Sequence, residues 1–97
     1  MKKTIQLEIQ RPGKPPVDQE IEPGTYLAGS DEDSRIVLPG PEVSGRHAVI
    51  FLSEEECWVE DLASRTGTWA NGKRVEGRAA IVWGQELKIG PYVLIAR

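Results

Sequence analysis

Glycine and proline recur along this chain at such short intervals that most of the segments between them are too short for a stable helix. The 97 residues include ten glycines and seven prolines. The first segment, residues 5–9, alternates apolar and polar side chains with the period of two that is typical of a half-buried strand. The sequence therefore predicts an all-β fold of many short strands.

The positions of these glycines and prolines also predict where the strands lie. Residues 11–16 (RPGKPP) are predicted to form a turn, since no helix or central strand accommodates this run of prolines. Asn71 and Gly72 favour a type I′ hairpin turn, because both central positions of that turn need a positive φ. Residues 48–52 (AVIFL) are an unbroken apolar run, which favours a strand buried on both faces. The predicted strands cover residues 5–9, 17–21, 25–28, 36–38, 48–52, 57–59, 87–89 and 92–96.

A helix within residues 46–66 is the alternative for the middle of the chain. This segment contains no glycine or proline, and Ser53 with Glu56 has the spacing of a helix capping box. The apolar residues that follow, however, would cover only about one turn of a helical face. Because the flanking segments are also strand-like, a strand is favoured here.

Composition and charge narrow the class of protein. Hydrophobic residues make up 39% of the chain and charged residues 28%, which is typical of a soluble globular protein, and we expect one domain over residues 1–97. The net charge of −3 gives no long-range attraction for nucleic acid or an anionic membrane, so neither is a predicted partner. Any bound anion must be held by a local cluster of donors.

The single cysteine, Cys57, excludes an internal disulfide, and one thiol with one histidine cannot form a zinc site of the Cys/His type. We therefore predict no metal and no cofactor. The basic start at residues 1–3 is followed by Glu8 within the first apolar segment, where an export signal would have an unbroken apolar stretch. A lone thiol without an export signal leads us to expect a cytoplasmic location.

Two residue sets have the types that hydrolases use. Ser44, His47 and Asp61 include those of a serine triad, and Cys57 with His47 those of a thiol enzyme. The chain has no Gly-x-Ser-x-Gly elbow, no Walker-type phosphate loop and no metal-ligand spacing. We therefore predict no catalytic residues.

Three blocks of sequence, in a fixed order, resemble the forkhead-associated (FHA) domain. They are Gly29 with residues 36–38 (IVL), residues 43–48 (VSGRHA), and residues 61–72 (DLASRTGTWANG) with the ending 87–90 (LKIG). The match is strongest over residues 28–96. The resemblance implies a SMAD/FHA-like β-sandwich of two antiparallel sheets and about eleven strands, with loops at one end that bind phosphothreonine in a partner protein or peptide.

The resemblance also assigns the phosphopeptide-binding residues. Ser44 matches the serine whose hydroxyl meets the phosphate, Arg46 can supply charge, and Gly45 leaves backbone N–H groups open to an anion. Arg65 and Thr66 occupy the positions at which relatives place a serine or threonine that holds the phosphate and an asparagine that bonds the peptide backbone. A threonine hydroxyl cannot both donate and accept as an amide does, so the grip on the peptide backbone is expected to differ.

Other matched residues are expected to support the site. His47 is predicted to brace the loops through their backbone, Gly67 to allow a tight loop, and Asn71 to form a turn and tether the adjacent loop. Gly29 ends the strand that leads into the site. The three tryptophans are interpreted as core or sheet-face aromatics: Trp58, Trp69 and Trp83.

Ser30 is the main departure from the family. Relatives have Gly-Arg at this point, the arginine being a principal phosphate ligand, whereas Ser30 is followed by the acidic residues 31–33 (DED) in a predicted exposed loop. A charge-assisted hydrogen bond is worth about 1.5–3 kcal/mol, so its loss weakens binding roughly ten- to a hundredfold. The resemblance, with this departure, implies a weakened phosphothreonine reader. The alternative is a scaffold or assembly domain of the same fold that binds partners independently of phosphate.

Overall fold

The computed structural model describes residues 4–97, so the basic start at residues 1–3 lies outside the described residues. The described residues form eleven strands and no helix, which confirms the all-β prediction and the strand number implied by the resemblance. The strands are β1 (Ile5–Arg11), β2 (Lys14–Ile21), β3 (Gly24–Gly29), β4 (Ile36–Val37), β5 (Ala48–Leu52), β6 (Cys57–Asp61), β7 (Thr68–Ala70), β8 (Lys73–Arg74), β9 (Arg78–Ile81), β10 (Glu86–Ile89) and β11 (Tyr92–Ala96).

The strands form two sheets. The six-stranded sheet has the order β2-β1-β11-β10-β7-β8, and the five-stranded sheet has the order β4-β3-β5-β6-β9. The pairing is antiparallel except for a two-residue parallel bridge at one edge, where Ala28 and Gly29 of β3 face Ile36 and Val37 of β4. This bridge forms because residues 30–35 carry the chain back alongside β3, and that return builds part of the loop end described below.

Both sheets turn apolar side chains onto a shared core. In β1, Ile5, Leu7 and Ile9 are buried while Gln6 is exposed, as the period of two predicts. Burial of each such side chain contributes about 1.5–3 kcal/mol. The least exposed large side chains come from both sheets and from the loop residues next to them: Ile21, Ile36, Leu38, Val43, Ile50, Leu52, Val59, Ile89 and Leu94.

One predicted turn was wrong in extent, and some strands were not predicted. The turn predicted for residues 11–16 is confined to Pro12 and Gly13, because β2 begins at Lys14 and contains Pro15 and Pro16. Proline is tolerated there because β2 is an edge strand, whose outward N–H positions need no partner. The predicted strands lack β7 and β8, of which only the connecting Asn71-Gly72 turn was predicted. They also lack β9, whose sequence (RAAI) is rich in alanine, which has a low strand propensity.

Strand β5 is buried on one face only, which corrects the prediction for residues 48–52. Val49 and Phe51 are half-buried on the outer face, where Phe51 stacks on Trp58 of β6 with ring centroids 5.3 Å apart. Trp58 is therefore a sheet-face residue. The prediction of core or sheet-face aromatics also holds for Trp69, which is 37% exposed on β7, but it was wrong for Trp83, which is 36% exposed in a turn.

The helix alternative is excluded by a hairpin turn between β5 and β6. The Glu56 N–H donates to Ser53 Oγ (3.0 Å), which is one half of a capping box. The Ser53 N–H, however, donates to the Glu56 carbonyl oxygen (3.1 Å), so the same two residues close a turn between antiparallel strands. The Ser53–Glu56 pairing expected from the sequence is therefore formed, but it closes a hairpin turn in the sheet and does not begin a helix.

Candidate functional site

Three loops meet at one end of the sheets, and we name them the acidic loop (residues 30–35), the serine loop (38–47) and the arginine loop (62–67). The Ser30 N–H donates to the Ser44 carbonyl oxygen (3.0 Å), and the Asp31 N–H donates to the Gly45 carbonyl oxygen (3.1 Å). On the other side, the Arg65 N–H donates to Ser44 Oγ (2.9 Å). The serine loop therefore lies between the other two loops and is hydrogen-bonded to both.

Gly29 permits the close contact between β3 and the serine loop. A Cβ atom at this position would lie 2.1 Å from the Gly45 carbonyl oxygen and 3.0 Å from that of Ser44. Real Cβ atoms do not approach backbone so closely, so any side chain here would push the serine loop away. Gly29 thus sets the spacing between the acidic and serine loops.

His47 joins the serine loop to the arginine loop from beneath. Its side chain is fully buried, the Ser44 N–H donates to Nδ1 (3.1 Å), and Nε2 lies 2.8 Å from the Gly67 carbonyl oxygen. Because Nδ1 accepts, Nε2 must carry the proton that is donated to Gly67, which assigns the neutral tautomer. Both ring nitrogens are thereby bonded to backbone groups, and the hydrogen bonds that a Ser44-His47-Asp61 triad needs are not formed.

Asp61 organises the arginine loop, a role that the sequence analysis missed. Its carboxylate accepts hydrogen bonds from Ser64 Oγ (2.5 Å), Thr68 Oγ1 (2.7 Å) and the Ser64 N–H (3.1 Å). Burial raises the pKa of Asp61, but these hydrogen bonds outweigh burial and hold the pKa below its ordinary value of 3.8. Ser64 Oγ in turn accepts from the Gly67 N–H (3.0 Å). The Asp-x-x-Ser spacing was the available signal, since it is typical of an Asp side chain that bonds its own turn.

The serine and arginine loops present donors that the protein does not use. Ser44 Oγ accepts from Arg65, so its own proton is free to be donated. Within residues 4–97, the backbone N–H groups of Gly45, Arg46 and Thr66 donate to no protein group. Converging N–H and O–H donors of this kind are what an anion requires.

Thr66 and Arg65 are partly committed to the serine loop. Thr66 Oγ1 donates to the Glu42 carbonyl oxygen (2.7 Å), which uses the only proton of that hydroxyl. Arg65 is exposed, and its Nη1 lies 3.4 Å from the Pro41 carbonyl oxygen. Thr66 therefore offers a ligand its backbone N–H, while Arg65 leaves most of its guanidinium donors available.

Arg46 does not share a cleft with Ser44. Its side chain lines a cleft of about 240 Å³ together with Leu27, Asp31, Asp33 and Ser34, and neither the Ser44 nor the Arg65 side chain lines it. Arg35, also in the acidic loop, lies 5.9 Å from the centre of the Tyr26 ring. Arg46 therefore faces side chains of the acidic loop, and Arg35 lies beside Tyr26.

Asp31 lies over Gly45, whose N–H is one of the unused donors. A Cβ atom on Gly45 would be 2.6 Å from Asp31 Oδ1, so the carboxylate occupies the space over Gly45. Ser30, at the position of the family's arginine, is half-buried and contributes only its N–H to the loop contacts. The acidic loop thus adds negative charge where an arginine is expected.

Asn71 forms the predicted turn. Its φ of 49° and that of 84° at Gly72 are both positive, as a type I′ turn requires. The Asn71 N–H donates to the Glu86 carbonyl oxygen (2.8 Å), but within residues 4–97 its side-chain amide makes no hydrogen bond. The expected side-chain tether is absent from this structure.

Over the same described range, no three histidine, cysteine, aspartate or glutamate side chains cluster as metal ligands. No helix in that range is long and apolar enough to cross a bilayer.

Comparison with known proteins places the sequence in a family. A model described as FHA domain matches residues 26–90. The chain is 32% identical over 92 residues to an ABC transporter ATP-binding/permease protein of Mycobacterium tuberculosis, covering 95% of this chain and 10% of that protein. It is 38% identical over 68 residues to the glycogen accumulation regulator GarA of the same organism, covering 70% of this chain and 41% of GarA. The chain thus spans only part of these relatives.

Solved structures share the fold. The FHA domain of the CT664 protein from Chlamydia trachomatis has a TM-score of 0.86 and 24% identity, covering 97% of this chain and 96% of that one. Mycobacterium tuberculosis EmbR, in complex with a low-affinity phosphopeptide, has a TM-score of 0.79 and 21% identity, covering 97% of this chain and 24% of that one. At these identities the likeness concerns the fold alone. Because the family model matches most of its length, the chain belongs to the FHA domain family.

Proposed function

We propose that this chain docks a partner protein by binding a phosphorylated threonine between the serine and arginine loops. The observation that carries the proposal is the set of uncommitted donors there: the Ser44 hydroxyl and the N–H groups of Gly45, Arg46 and Thr66. A phosphate offers three acceptor oxygens and about −1.5 to −2 charges at neutral pH, which suits such donors with the nearby Arg65 cation. The phosphopeptide complex of EmbR supports the idea, since it has the same fold.

Binding is expected to be weak. Ser30 supplies no charge, and the Asp31 carboxylate over Gly45 repels an incoming phosphate. We place this weak docking in cytoplasmic signalling, with residues 1–97 acting as one domain.

The test is a titration with three matched peptides that carry phosphothreonine, phosphoserine or unmodified threonine, with the flanking sequence selected from a degenerate phosphothreonine library. We expect binding to require phosphate and to favour threonine, and Ser44→Ala to weaken it about tenfold. Glu55→Gln, an exposed change in the β5–β6 turn, is the control. Equal binding of the unmodified peptide would reject the proposal. It would favour the second candidate function, which is docking without phosphate. The specific observation for that candidate is that Arg46 lies among acidic side chains.

A further inference from the structure

A second group of unused donors lies beside the arginine loop, on the hairpin formed by β7 and β8. A Cβ atom on Gly67 would lie 3.3 Å from Arg74 Nε and 3.4 Å from Trp69 Nε1. Gly67 has a φ of 88° and carries no side chain, so these two groups approach the loop backbone directly. The indole N–H and the guanidinium therefore converge on one point of the loop.

The fold brings these donors together. Trp69 and Arg74 are a cross-strand pair across the Asn71-Gly72 turn, so their side chains share the outer face of the six-stranded sheet. On the other side of Trp69, Lys88 of β10 is its cross-strand neighbour. Trp69 is thus flanked by two cations. Trp69 and Lys88 also line a cleft whose acidic lining residue is Glu86.

Neither donor is used by the protein. Within residues 4–97, Trp69 Nε1 and the Arg74 guanidinium make no hydrogen bond or ion pair. No cation–π contact joins them in that range, where such contacts are made by Arg35 and Arg78. Both side chains are exposed, so a ligand can reach them. A planar fork of N–H groups beside an indole N–H matches the geometry of a carboxylate.

The Trp69 and Arg74 donors lie close to the proposed phosphate site. Arg65, whose N–H contacts Ser44 Oγ, is two residues before Gly67, so at most about 7 Å of chain plus one side-chain contact separates the two sites. An extended peptide advances about 3.3 Å per residue, which puts this point two to four residues from the phosphothreonine. We infer that Arg74 and Trp69 form an anion subsite that selects phosphopeptides with an acidic side chain at that distance; the inference rests on the proposed function.

The test compares phosphothreonine peptides that differ only by Glu or Gln at each position two to four residues from the phosphothreonine, on either side. Wild type should bind one Glu peptide about three- to tenfold more tightly than its Gln partner at low salt, with the difference shrinking as salt is raised. Arg74→Gln should abolish this preference while keeping the Gln-peptide affinity. Trp69→Phe should reduce the preference and remove the indole resonance that shifts on binding. A phosphoserine replacing the Glu distinguishes a second phosphate from a carboxylate as the preferred anion.

Lys73→Gln is the matched control, because Lys73 pairs with Ala70 and so projects from the opposite face of the same hairpin with the same charge. Its Glu preference should equal that of wild type. Phosphate-dependent binding with no Glu preference, or with a preference that survives Arg74→Gln, would overturn the subsite alone. Failure of every phosphopeptide to bind would overturn the proposed function and the subsite together.

Discussion

The two sides of the serine loop are held in different ways. Toward the arginine loop, the buried His47 ring and the half-buried Asp61 carboxylate fix backbone groups through hydrogen bonds. Toward the acidic loop, two backbone hydrogen bonds and a longer one from Ser34 Oγ to the Gly45 carbonyl oxygen (3.5 Å) make the contact, and the side chains of Asp31 and Arg46 are exposed. This domain thus keeps its frame through side chains that bond loop backbone, while the charges proposed to set affinity lie on exposed side chains, whose replacement is expected to cost little stability.

Removal of the His47 side chain, which bonds the serine loop to the arginine loop, should have the largest effect on stability. His47→Ala leaves the Ser44 N–H and the Gly67 carbonyl oxygen without partners and opens a cavity, so the free energy of unfolding should fall by about 3 kcal/mol or more. Urea denaturation measures this change. Arg46→Ala, one residue away and exposed, should stay within about 0.5 kcal/mol of wild type. Similar losses in the two variants would erase the contrast between the two sides.

Restoration of the missing cation tests the acidic side. Ser30→Arg should strengthen phosphothreonine-peptide binding about ten- to a hundredfold, because it adds a charge-assisted hydrogen bond next to the unused donors. Isothermal titration calorimetry at fixed salt gives the dissociation constants. Val82→Arg adds the same charge at an exposed position between β9 and β10 and should leave affinity unchanged. An equal gain in both variants would mean that net charge, and not a site, limits binding.

Acid should destabilise the side of the site that Asp61 holds, at the arginine loop. Since the pKa of Asp61 is lowered in the folded protein, the unfolded chain binds the proton more tightly, and the stabilisation present above about pH 4 is lost as the pH falls below the ordinary value of 3.8. Asp61→Asn should cost about 1–2 kcal/mol at neutral pH and make the acid dependence of stability shallower. Unfolding curves between pH 7 and about pH 2.5 provide the comparison. Parallel acid dependence in the two proteins would show that Asp61 is not the group responsible.

The smallest expected effect concerns the carboxylate over Gly45. Asp31→Asn should improve phosphothreonine-peptide affinity about two- to fivefold, because an exposed like charge costs about 1 kcal/mol or less. Glu32→Gln, the next residue along the same loop, is the matched control with the same change in net charge. The gain should diminish at high salt. If both variants gain equally, the position of Asp31 has no special role.

The sequence was sufficient for the class of fold and for most of its strands. Alternating apolar residues in β1 and the unbroken run in β5 have few ways to be buried, and the Asn71-Gly72 turn is specified by local backbone preference. Short strands without such a pattern, such as β9, could not be found, because neighbouring strands and not local propensity stabilise them.

For the site, the sequence by itself determined which residue types are available, including the serine at position 30 in place of a cation. Tertiary structure alone decided where they point: Thr66 donates its hydroxyl proton to Glu42, Arg46 lies among acidic side chains, and Arg74 reaches Gly67. The reason is physical. Local patterns fix the backbone conformation of each segment, whereas the partners of a side chain depend on which loops the sheets bring together across long separations in sequence.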